Sequence, residues 1–286
     1  MKPHLMPVTP ATNNAASAHP GPGAVAEQSQ QAAAPVTLPP RRNIRLVIAY
    51  NGAAYHGWQR QARGFDTIQQ RIEDAAVRVV GHRVTIFGAG RTDAGVHAQG
   101  QVANFYTTNF SVPIVGLRKA LNSRLPHDIC INSASEADEK FQSSRSALGK
   151  TYHYRIHVAP QRQVDLNNLV YHYWRPLDPQ LMRDAARRLI GTHDFRGFAT
   201  SAEVRENTVR TIFRCDVSEQ GQEIHVTVQG NGFLYNMVRN IVGTLIEIGR
   251  GKLQADQIDK AIASRNRTDA GPTAPPDGLS LQCVHY

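Results

Sequence analysis

Cysteine is scarce in this chain of 286 residues: Cys130, Cys215 and Cys283 are all it has. They stand far apart, so neither a Cys-x-x-Cys zinc spacing nor a disulfide framework can be drawn from them. A reducing cytoplasm is the expected compartment. Long apolar runs are missing too. None approaches the ~18 residues of a bilayer-crossing helix, and the N-terminus lacks the apolar core of a secretory signal. It holds little arginine before Arg41 and Arg42, which argues against a transit peptide. Acidic residues are outnumbered 23 to 32 by lysine and arginine, for a net charge of +9. That balance suits a polyanion partner, although composition alone also fits a merely basic soluble protein.

What is present divides into a tail and two similar halves. Residues 1–42 contain eight of the 16 prolines, set among Ala, Ser, Gln and Gly. Such a stretch buries too little apolar surface to offset its ordering entropy, so a disordered tail is expected over 1–42. Lys2, Arg41 and Arg42 against Glu27 leave +7 for residues 43–286. In the first half, 43–148, Asn43–Tyr50 reads as a strand. Ile68, Ile72, Ala75, Ala76 and Val79 mark a helix over Thr67–Val80, capped by Asp66 or Thr67. Strands are expected near 84–89 and 101–106, then a helix through Ile114, Leu117, Leu121 and Leu125 stopped by Pro126, then a strand near 129–135. This β-α-β-β-α-β order is ferredoxin-like.

The second half, 149–286, repeats the rhythm. Lys150–Val158 alternates, with Tyr152, Tyr154, Ile156 and Val158 on one face. Asp178-Pro179 opens a helix ending at Gly191. Thr208–Val217 and Glu223–Gly230 form a hairpin around Gln220-Gly221. Leu234–Gly249 and Gln254–Ser264 read as helices, and Leu279–Tyr286 as a final strand. The pattern predicts an α+β fold with a cleft between the halves.

One segment stands out as chemistry. Phe87-Gly88-Ala89-Gly90-Arg91-Thr92-Asp93-Ala94-Gly95-Val96-His97-Ala98 places a single carboxylate in a glycine-rich loop between two strand-like stretches. Functional residues concentrate on such loops. Arg91, two residues before Asp93, is expected to favour the ionised carboxylate, which suits a nucleophile. A plain turn would use the same Thr-Asp-Ala-Gly residues. A dinucleotide loop does not fit: the third glycine position is Asp93 and no helix pattern follows. His153 and His157 have a metal-like spacing but lie on an alternating strand, so they read as strand-face residues.

Gly90–Ala98 resembles the catalytic signature of the tRNA pseudouridine synthase A family. So do four other blocks, in family order: Tyr55–Gln61, Lys150–Arg155, Gly232–Gly243 and Ala270–Pro276. The resemblance covers Asn43 to Tyr286. It implies the pseudouridine synthase fold, with two ferredoxin-like halves whose mixed or antiparallel sheets flank a central basic cleft. It also implies isomerisation of uridine to pseudouridine at positions 38 to 40 of the tRNA anticodon stem-loop, by a homodimer. The reaction needs neither metal nor organic cofactor, and the sequence has no site pattern for either. It requires the base to leave its stack.

On the same footing, Asp93 is the expected nucleophile, attacking either the base ring or C1′. Arg239 pairs with it. Arg91 occupies the space of the displaced base, and Tyr152 stacks on the target base, a contact contributing ~1–3 kcal/mol. Alone, Arg91 and Arg239 would read as surface charges, and Tyr152 as core. The chain departs from the family pattern where Gln142-Ser143-Ser144 precedes Arg145, and where Gly197 stands in place of serine. Two rival functions are a non-catalytic RNA-binding protein of the same fold and a metal-dependent nuclease. The first conflicts with intact Asp93, Tyr152 and Arg239. The second needs clustered carboxylates, and Asp93 has no acidic neighbour nearby in the sequence.

Overall fold

Hydrophobic alternation builds most of this molecule. The computed structural model describes residues 40–286 apart from Arg63, Ser201 and Val204. Strand β1 (Arg42–Tyr50) buries Ile44, Leu46, Ile48 and Tyr50 on one face. Helix α1 (Ile68–Val80) follows, with Thr67 accepting from the Gln70 N–H, so of the two expected caps Thr67 is the one used. Then come β2 (Phe87–Gly88), β3 (His97–Thr107), α2 (Ile114–Asn122) and β4 (Ile129–Ala137). The second half supplies β5 (Gly149–Val158), β6 (Tyr171–Tyr173), α3 (Pro179–Arg187), β7 (Gly191–Asp194), β8 (Val209–Gln220) and β9 (Glu223–Gly230). Helices α4 (Met237–Gly249) and α5 (Gln257–Ser264) and strand β10 (Leu279–His285) complete it. Thus the fold is α+β, as expected.

Among the described residues ten strands join one mixed sheet, whose main path runs β4-β1-β3-β10-β5-β9-β8-β7. In the first half the order is β4-β1-β3-β2, and in the second β10-β5-β9-β8, the same ferredoxin-like arrangement twice. The halves therefore do not keep separate sheets. Strand β10 joins them, antiparallel to β5 and parallel to β3. It meets β3 at His97 and Ala98, whereas β2 meets the same edge further on, at Ala103 and Asn104. Strand β2 is two residues long rather than the six expected.

Other differences are local. The expected tail 1–42 lies outside the described residues up to residue 39, but its last residue belongs to the sheet. Arg42 starts β1, and its guanidinium binds Glu136 and the carbonyls of Asn109 (3.1 Å) and Val112 (2.8 Å). Helix α3 starts where expected, with Asp178 capping the Gln180 and Leu181 N–H groups. It stops at Arg187, because Gly191 opens β7 instead of closing the helix. Helix α4 starts at Met237, not Leu234, because Asn236 adopts a left-handed φ of 58°. Every α4 residue except Arg239 is buried. The helix's polar stripe of Asn240, Thr244 and Glu247 is itself buried and hydrogen-bonded or ion-paired, and Arg239 is its one partly exposed residue.

Candidate active site

The loop between β2 and β3 is held from several sides. The Thr92 hydroxyl bonds the buried Tyr50 hydroxyl at 2.8 Å, and the Thr92 carbonyl accepts from the Trp58 N–H at 3.0 Å. The Gly95 N–H reaches the Tyr55 carbonyl at 3.3 Å, so the Tyr55–Gln61 block buttresses the loop directly. Gln101 Nε2 donates to the Gly90 carbonyl at 2.9 Å. His97 closes the far end: its Nδ1 accepts from the Gly52 N–H and its Nε2–H donates to the Asp277 carbonyl, each at 3.1 Å. Burial holds the His97 pKa below its ordinary value, in keeping with that neutral form.

Asp93 emerges from this frame into a cleft of about 830 Å³. Its Oδ2 lies 3.4 Å from Nη1 of Arg239, on α4. The same Nη1 donates to Asn236 Oδ1 at 3.0 Å, and Arg239 Nε donates to the Ala274 carbonyl at 2.7 Å. The guanidinium is thus fixed before any substrate arrives. Desolvation raises the Asp93 pKa, and the charge and hydrogen bond of Arg239 oppose the rise. Of the two arginines expected to act on the Asp93 carboxylate, Arg239, expected as its pair, contacts it, and the neighbouring Arg91 does not. Arg91 is exposed and lines the cleft, but among the described residues the ion-pair partner of Asp93 is Arg239. The reason is burial: the loop turns Arg91 to solvent and Asp93 toward α4.

Tyr152 also lines the cleft, its ring edge-on to Phe233 with centroids 5.1 Å apart. Burial raises its hydroxyl pKa, and Tyr50 and Asp93 add to the rise. Tyr154 shares its strand face but lies in the core, donating to the Pro275 carbonyl at 2.7 Å. Position along β5 relative to the loop separates the two tyrosines.

Three residues of the cleft were given no role in the sequence reading. Lys150 lines the cleft two residues before Tyr152. Glu203 is buried at the rim, with its carboxylate gripped by Arg205 (2.7 and 2.5 Å) and by the Tyr235 N–H (2.8 Å), which holds its pKa down at about 2. Phe233 orients Tyr152. Lys150 and Phe233 stood inside quoted blocks; Glu203 and Arg205 belonged to none.

Both departures from the family pattern have packing reasons. Ser143 is buried, bonding the Asn104 side chain at 2.9 Å and the Phe87 carbonyl at 2.5 Å, which leaves Arg145 exposed and outside the cleft. At Gly197 a Cβ would overlap the Ala261 carbonyl oxygen, so serine has no room. His153 is a strand residue hydrogen-bonded to His225 at 2.9 Å, and His157 is buried on the same strand.

Comparison with known sequences gives a consistent result. A family profile described as tRNA pseudouridine synthase matches residues 46–144 and 185–286. The chain is 44% identical over 245 residues to the tRNA pseudouridine synthase A of Acetivibrio thermocellus, covering 86% of this chain and 100% of that one. It is 43% identical to tRNA pseudouridine synthase A 2 of Clostridium perfringens and 42% to the tRNA pseudouridine synthase A of a Thermoanaerobacter species, with the same coverage.

Proposed function

The chain belongs to the tRNA pseudouridine synthase family, and on that premise we propose that it converts uridine to pseudouridine at positions 38, 39 and 40 of the tRNA anticodon stem-loop, with Asp93 as nucleophile. Its activity is tRNA pseudouridine synthesis, an isomerisation. The N1–C1′ bond breaks, a C5–C1′ bond forms, C5 gives up its proton and N1 gains one. The observation that carries the assignment is the Asp93 carboxylate 3.4 Å from a fixed guanidinium, in a cleft that also presents Tyr152.

Each side chain then has one task. The flipped uridine stacks on Tyr152, whose tilt is set by Phe233. Arg91 swings into the gap left in the RNA. Arg239 orients the Asp93 carboxylate and keeps it ionised despite its burial. A near-attack geometry of this kind lowers the barrier by prepaying orientation entropy. The enzyme acts in the cytoplasm as a homodimer, with tRNA in a basic cleft spanning both subunits. Among the described residues no helix is long and apolar enough to cross a membrane.

The test is release of tritium from tRNA labelled at uracil C5. The wild-type chain should release it without cutting the strand, and Asp93→Asn should release none while folding and binding tRNA normally. Turnover by the asparagine variant would remove Asp93 from the mechanism. Strand scission would point to a nuclease.

A further inference from the structure

The charges around the cleft do not cancel. Its two carboxylates are already engaged, Asp93 by Arg239 and Glu203 by Arg205. Two cations are left over: Arg91, which is exposed, and Lys150. Among the described residues its ammonium forms no ion pair, although it is half-buried in the cleft wall. Its one charged neighbour of consequence is Arg205, a like charge, and burial together with that charge depresses its pKa. A desolvated cation without a counter-charge is costly to hold unless something arrives to pair with it.

The position of that ammonium is specific. Lys150 and Tyr152 are two apart on β5 and share its cleft-facing side. Lys150 Nζ lies so close to the catalytic loop that a Cβ on Gly90 would meet it at 2.7 Å. The lysine head therefore sits over the loop backbone, three residues from Asp93 in sequence and beside the ring expected to take the base. The first residues of α4, Met237 and Val238, line the same cleft and bring the positive end of a 13-residue helix to it. The surroundings call for an anion, and a nucleic-acid substrate carries one at every linkage.

We propose that Lys150 holds a backbone phosphodiester next to the flipped uridine, and thereby seats the target nucleotide between Tyr152 and Asp93. A lysine is suited to this as a compact point charge that needs no fixed fork geometry. The inference rests on the reading of the cleft as the site of uridine isomerisation.

The experiment is a double-perturbation cycle read by equilibrium binding. Asp93→Asn protein is used so that bound tRNA is not converted. The tRNA carries a neutral methylphosphonate at one linkage flanking the target, in turn 5′ and 3′. With Lys150 intact, neutralising one of these linkages should weaken binding about tenfold. With Lys150→Met the same neutralisation should cost less than about twofold, because the contact is already lost. Lys150→Arg, which keeps the charge, should retain the sensitivity, and unchanged melting temperatures show that the variants fold. Losses that multiply at both linkages, or a wild-type affinity indifferent to both, would overturn the proposal. The isomerase reading is tested separately, by tritium release from unmodified tRNA. A failure there beside a non-multiplying cycle would leave the phosphate contact standing.

Discussion

Arg239 makes three hydrogen bonds, and two of them are to groups other than Asp93. Lysine would keep the charge but could not span Ala274, Asn236 and Asp93 with one fixed fork. Arg239→Lys should therefore lose at least about a hundredfold in single-turnover rate while still binding tRNA. A loss within about threefold, under 1 kcal/mol of barrier, would reduce the residue to a neutralising charge. The pH profile gives a second test. Burial raises the Asp93 pKa and Arg239 pulls it back. With the ionised form as the proposed nucleophile, the rate is expected to rise with pH through that pKa. Removing the guanidinium in Arg239→Ala leaves burial unopposed, and the acid limb should move to higher pH. An unmoved limb would separate Arg239 from the ionisation of Asp93. At this scale the sequence was partly legible. Asp93, Tyr152, Arg239 and Arg91 could be named because five blocks occur in family order. The pairing could not be read from proximity: Arg91 is two residues from Asp93, yet the partner is 146 residues away. Lys150 and Glu203 acquire meaning only from what packs beside them.

Among the elements, legibility followed the strength of the periodic signal. Strand β9 alternates cleanly and β1 and β5 nearly so, whereas β10 is interrupted by a bulge between Leu281 and Cys283; Thr67 and Asp178 cap where their chemistry allows. The three-residue β6 and four-residue β7 carry too short a pattern to detect, and each is fixed by its neighbour in the sheet. Helix α4 illustrates how an element serves the site. At Gly243 a Cβ would overlap the Pro272 carbonyl oxygen, so the 270–276 segment lies directly on the helix. That contact brings the Ala274 carbonyl to Arg239 Nε. Gly243→Ala should therefore do two things together. Overpacking should destabilise the protein by about 1–3 kcal/mol or more, seen in denaturant unfolding. It should also lower the turnover of the folded fraction by displacing the support of Arg239. Full activity in a destabilised variant would mean that the segment only packs.

Over the whole molecule, the net +7 outside the first 42 residues and the uncompensated cleft predict phosphate-dominated binding. The logarithm of tRNA affinity should fall linearly and steeply with the logarithm of salt concentration, as counterions are released. A shallow slope would be incompatible with a surface that tracks the RNA backbone. That the chain consists of two similar halves was legible from the rhythm of its strands and helices. That they share one sheet was not, because the linking strand is distant in sequence from its partner β3.

The placement of β10 gives the chain a built-in order of events during synthesis. Every other strand of the sheet leaves the ribosome before Leu279, yet β3 and β5 can be bridged only by the segment that follows. A nascent chain short of that point has the Asp93 loop on one half and Arg239 on the other, with no shared ladder to align them. The bridging contacts link β10 to β3 across nearly two hundred residues, the kind of closure that forms late in folding. The two halves of the proposed site therefore gain a shared ladder only once β10 has been made, and a polypeptide without it holds the residues of the site without the strand that joins them.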